Sequence, residues 1–125
     1  MQRKWLAIAA ISGFTAVALG AFGAHGLKPT FTAYQLGVWE TAVQYQMFHT
    51  LALLSLASAG QLVCRRMASI SAWLFTVGIV VFSGSLYVLA TTGIKWLGAI
   101  TPLGGLAFLA GWAFLLVSAF KKNKP

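Results

Sequence analysis

Four apolar stretches, about residues 5–24, 39–60, 70–91 and 102–120, contain no lysine or arginine, and the one acid in the chain, Glu40, lies at the edge of the second. Each is close to the roughly 20 residues that a helix needs to cross a 30 Å hydrocarbon core. Inside that core every backbone donor and acceptor must be paired within the chain, so each stretch is expected to be helical. The chain is 59% hydrophobic and 8% charged over 125 residues. A water-soluble domain carries about a quarter charged residues, so this composition belongs in a bilayer. The expectation is one all-α domain: an integral membrane, up-down four-helix bundle.

The flanks give the stretches an orientation. Arg3, Lys4, Arg65, Arg66, Lys121, Lys122 and Lys124 fall on one side, and Lys28 and Lys95 on the other. Basic residues in short connections mark the cytoplasmic side, which places both termini there. The net charge of +8 therefore reads as a topology signal, and no nucleic-acid partner is expected. Anionic lipid at the cytoplasmic face is the expected surface partner, at ~1 kcal/mol per basic residue near the surface. The first stretch has the basic start of a secretory signal, but its apolar run exceeds the usual length of about 7–15 residues. Trp5, Trp39 and Trp96 sit at stretch ends and are expected to anchor at the interfaces. Cys64, the single cysteine, cannot form an internal disulfide and reads as a helix-end residue.

Local signals refine the connections. Thr32 to Gln35, "TAYQ", has the form of a capping box, so the second helix is expected to start near residue 33, outside the core. Gly26 is placed to cap the first helix in the left-handed conformation. "ITPLGG" reads as a helix start, with Thr101 as cap and Pro102 in the first turn, where its missing donor would be unpaired. Ser12, Ala16, Gly20 and Ala24 recur every four residues, and Gly104, Ala107, Gly111 and Ser118 make a similar face. Small faces let membrane helices approach closely, so the first and fourth helices are expected to meet and close the bundle. A homo-oligomer is also expected, because Gly and Ala faces remain after closure.

"GAFGAHGL" at 20–27, "VQYQMFHTLALL" at 43–54, "FSGSLY" at 82–87 and "TPLGG" at 101–105 occur in this order. Together they resemble the bacterial inner-membrane family described as domain of unknown function 423, whose eukaryotic relatives are called transmembrane protein 256. The resemblance covers nearly the whole chain. It implies a four-helix integral membrane protein and carries no activity with it.

Chemistry, if any, would reside in the polar residues of the second helix and whatever faces them. Thr41, Tyr45 and His49 share a face at ~100° per residue, with Glu40 and Gln44 beside it. Counted in from the outer ends, His49 matches Ser83 and Ser85, and Tyr45 matches Tyr87. A cluster of His25, Glu40, Gln44, Tyr45, His49, Ser83, Ser85, Tyr87 and Thr101 is therefore the candidate site, reaching the midplane at His49. An imidazolium there would cost about 2.5–3.5 kcal/mol, so His49 is expected to be neutral, donating from one ring nitrogen and accepting at the other. Two histidines and one carboxylate lack metal-ligand spacing. With no second carboxylate and no G-x-S-x-G, neither an enzyme nor a cofactor is expected. Two readings remain: a non-enzymatic component that packs with itself or a partner, and a small-solute or proton path through the cluster.

Overall fold

A computed structural model describes residues 2–123; Met1, Lys124 and Pro125 lie outside the described residues. Four helices follow one another. α1 spans Gln2–Phe22 and runs on through a π-helical turn, Gly23–Leu27. α2 spans Ala33–Ala59, α3 Arg65–Thr92 with a π-helical turn at Ile79–Ser83, and α4 Leu97–Phe120. Connections this short make successive helices antiparallel neighbours. Thr32 starts α2 as the capping box requires: its hydroxyl accepts from Gln35 N–H at 3.1 Å, and its own N–H donates to Gln35 Oε1 at 2.8 Å.

The two ends of the bundle are fixed by contacts between helix termini. Trp5, near the start of α1, packs edge-on against Trp73 of α3, with ring centres 5.1 Å apart. Cys64 N–H donates to Ser118 O at 2.8 Å, and Asn123 bridges Arg65 N–H and Val63 O. The starts of α1 and α3 and the end of α4 therefore share one end, together with Arg3, Lys4, Arg65, Arg66, Lys121 and Lys122. Lys28 and Lys95 lie in the turns at the other. By length and composition α1, α3 and α4 can each cross a membrane. α2 falls outside that group because it carries Glu40, Gln44, Gln46 and His49. It nevertheless returns the chain over the full distance between α1 and α3.

α1 packs along α2, and α4 along α3, while α2 and α3 meet between them. The expected closing contact between α1 and α4 is not a packing seam among the described residues; each small-residue face meets a different helix. Ser12 and Ala16 are buried and Gly20 faces Val43, all against α2, whereas Ala24 is exposed. On α4, a Cβ added at Gly104 would lie 2.7 Å from Phe82 Cα, and one at Gly111 would lie 2.7 Å from the Phe75 ring. Gly78 of α3 in turn receives the Phe108 ring. α3 and α4 thus interlock ring against glycine, which lets the backbones approach.

Two local expectations are corrected. Gly26 is not a left-handed cap. The chain stays right-handed through Lys28 (φ −53°), and Leu27 O then accepts from Thr30 and Phe31. The Trp39 ring lies on Gly23, and its indole N–H donates to Leu19 O at 2.9 Å. The wider π register displaces the ordinary i to i−4 pairing, and Trp39 takes a carbonyl at that turn. Trp5 and Trp39 are buried inside the bundle at helix ends, while Trp96 is 65% exposed. Finally, α4 starts at Leu97 through a tight turn, in which Leu97, Gly98 and Ala99 N–H bond to carbonyls three residues back. Pro102 lies inside the helix, and Thr101 bonds to Leu97 O instead of capping.

Candidate functional site

Residues 42, 46, 49, 50 and 53 of α2 are spaced by three and four, so they form one face, and all five are buried. Gln46 is its polar centre. Its Nε2 donates to Ser12 O at 2.9 Å and to Thr15 Oγ1 at 2.8 Å, and its Oε1 accepts from Tyr87 Oη at 2.6 Å. The Ser12 carbonyl can only accept, which fixes which way the amide points. Thr50 donates to Gln46 O and shares a 2.6 Å hydroxyl pair with Ser12. This network joins α1, α2 and α3 through one side chain.

His49 is 3% exposed and belongs to a separate system. Its Nδ1 lies 2.8 Å from Tyr45 O, and its Nε2 lies 3.1 Å from Trp112 Nε1. A carbonyl only accepts and an indole N–H only donates, so Nδ1 carries the proton and Nε2 accepts. The bonds define a neutral ring in a single tautomer. The ring also stacks on Phe108, with centres 3.6 Å apart and planes within 8°. We expect nitrogen-15 NMR in membranes to show the Nδ1–H tautomer. His49→Leu should lose about 1–3 kcal/mol by stranding the Trp112 indole N–H, and His49→Gln should lose less. An Nε2–H tautomer would contradict this geometry.

The other proposed cluster members separate. Ser83 donates to Ala42 O at 2.7 Å, tying α3 to α2. Ser85 pairs with Thr101 at 2.6 Å, tying α3 to α4. The expected level is corrected: Ser83 lies opposite Ala42 and Phe75 lies against His49, so both serines stand about two helical turns from His49. Tyr87 bonds to Gln46 rather than His49. The Tyr45 side chain is half exposed and stacks near Phe82 and Phe108. His25, Glu40 and Gln44 are exposed, and their side chains join no hydrogen bond among the described residues. Sequence reasoning missed Gln46 and Trp112. For Gln46 the signal was the spacing of Ala42, Gln46, Thr50 and Leu53; no comparable signal singled out Trp112.

Between α2 and α4 a groove of about 1100 Å³ opens sideways from the bundle. Its wall holds six rings: Tyr45, Phe48, His49, Phe82, Phe108 and Trp112. Gln44 lies at its edge.

Comparison with known proteins agrees with a membrane protein. A family model described as "Protein of unknown function (DUF423)" matches residues 19–105. The chain is 50% identical over 129 residues to the UPF0382 inner membrane protein YgdD of Escherichia coli (strain K12), covering 98% of this chain and 94% of that protein. It is 48% identical over 121 residues to the UPF0382 membrane protein YwdK of Bacillus subtilis (strain 168), covering 96% and 98%. It is 44% identical over 120 residues to the UPF0382 membrane protein SSP2132 of Staphylococcus saprophyticus, covering 96% and 99%. No solved structure matches the chain. The four-helix chain, with α1, α3 and α4 each able to cross a bilayer, is an integral inner-membrane protein and belongs to the DUF423 family of proteins of unknown function.

Proposed function

We propose that this protein is a non-enzymatic membrane component that acts by binding another membrane chain, and that this partner is a second copy docked on the outer face of α2. The observation that carries the reading is Gln44. It is exposed one turn below Glu40, and neither side chain has a hydrogen-bond or ion-pair partner among the described residues. Met47 and Leu51 continue the exposed face. A polar group facing hydrocarbon is costly unless a neighbour pairs with it. Two copies inserted the same way are related by an axis along the membrane normal, which brings Gln44 against Gln44 of the second copy. Each amide both donates and accepts, so such a pair closes reciprocally. The aromatic groove beside it would take apolar side chains of the partner.

The interior supports a binding role over a pathway. Both His49 nitrogens are engaged, and the polar side chains are tied in separate sets. Glu40, the only carboxylate side chain, is nine residues from His49, about 13 Å of helical rise. We also assign the basic end, with both termini, to the cytoplasm.

The test is the mass of the full chain in lipid nanodiscs, followed as concentration falls. The wild type should remain oligomeric. Gln44→Leu should weaken association about tenfold, as expected from the ~1–2 kcal/mol that model peptides give for a hydrogen bond between membrane helices. A wild-type monomer across the whole range would exclude self-association as the role of this face.

A further inference from the structure

At the basic end, independent of the α2 face, a small cavity of about 30 Å³ lies beside the first turn of α3. Trp5, Gly60, Arg65 and Ser69 form part of its wall. Trp5 is 4% exposed, and its indole N–H is the single buried side-chain polar atom among the described residues that lacks a hydrogen-bond partner. The Ser69 hydroxyl and the Arg65 guanidinium have no bonded partner among the described residues either. Lys4 adds charge nearby, with Nζ 4.0 Å from the Trp73 ring centre and 5.1 Å from that of Trp5. The α3 N-terminus adds first-turn N–H groups and the positive end of a dipole. Asn123 holds the start of that turn by accepting from Arg65 N–H at 2.7 Å. Donors and positive charge thus gather around a cavity with no acid beside it: Glu40 lies near the start of α2, at the opposite end of the bundle.

We infer that this cavity is a phosphate-group site and that its occupant is the headgroup phosphate of an anionic membrane lipid. Its volume corresponds to about one water molecule, so it admits a single oxygen. One phosphate oxygen enters beside the Ser69 hydroxyl, and the Trp5 ring, whose N–H is sealed in this structure, turns to donate to it. The remaining phosphate oxygens rest at the mouth against Arg65, where an arginine fork suits phosphate geometry. A lipid supplies this group rather than free phosphate because the site sits at the end of membrane-crossing helices, where basic residues concentrate anionic headgroups.

The experiment uses the full chain with nitrogen-15 indole labels, in nanodiscs of phosphatidylcholine alone or mixed equally with phosphatidylglycerol. Trp5→Phe keeps the ring against Trp73 and assigns the Trp5 signal by its loss. The Trp5 signal should move in the anionic nanodiscs, and native mass spectra should retain one phosphatidylglycerol. Arg65→Gln and Trp5→Phe should each lower that retention about fivefold, with thermal stability of Arg65→Gln unchanged. A Trp5 signal identical in both lipids would overturn the site in favour of water. Inorganic phosphate moving it equally in phosphatidylcholine nanodiscs would overturn the lipid as the source. If Trp5→Phe fails to fold, retention by Arg65→Gln equal to wild type overturns the proposal on its own.

Discussion

Replacing Gly104 with alanine is expected to destabilise the bundle by about 3 kcal/mol, the upper part of the usual range for overpacking. The added methyl would lie 2.7 Å from both Phe82 Cα and Phe82 Cβ. A flexible side-chain tip could move away, but α3 backbone cannot. The helices would have to part, and the rest of the α3–α4 seam would loosen with them. That seam includes the Phe75 ring on Gly111, the Phe108 ring on Gly78 and the bond from Ser71 Oγ to Gly111 O at 2.7 Å. Gly105→Ala is the control, because its nearest contact would be 4.0 Å away on the Phe82 ring. It should be neutral or slightly stabilising, since alanine favours helix over glycine by ~1 kcal/mol. Thermal unfolding of both variants in the same detergent decides the matter. Equal stability would mean that α3 and α4 do not approach at Gly104.

The Gln46 network should give the second-largest effect. Gln46→Leu leaves the Tyr87 hydroxyl without its acceptor and removes donors from Ser12 O and Thr15. The expected loss is about 2 kcal/mol, within the range for leaving buried polar groups unpaired. Tyr87→Phe alone should cost about 0.6 kcal/mol, the average for one bond between membrane helices. In the double variant the ring at position 87 carries no hydroxyl to strand, so the combined loss should fall short of the sum. A double-mutant cycle measures that shortfall. Strict additivity would show that Tyr87 and Gln46 do not bond. The same glutamine-to-leucine change at exposed Gln44 should leave monomer stability nearly unchanged and act on association instead.

Gln44 and Gln46 also mark the boundary of what could be read without coordinates. Two residues apart on a helix, they point ~200° apart, so only one can enter the bundle. A helix surrounded by lipid is apolar on all sides, and no amphipathic period marks its inner face. Neither the register between α2 and α3 nor the direction of each side chain was legible: Ser83 came to lie opposite Ala42, and Phe75 opposite His49. That is why Ser83 and Ser85 looked alike yet bond to different helices, away from His49, and why the indole of Trp112 on His49 had no signature. Pro102 likewise carried a start signal that the Ile94–Ala99 turns had already supplied.

What the sequence determined by itself was the all-α class, the number of helices, their short antiparallel connections and the capping box at Thr32. These follow from local hydrogen bonding and from the rule that backbone polar groups in hydrocarbon pair within their own segment. Only the tertiary structure decided which small-residue face met which helix, which glutamine entered the interior and where the His49 nitrogens found partners. Those choices depend on shape at close approach, where a glycine opposite an aromatic ring or a backbone outweighs any residue-by-residue preference.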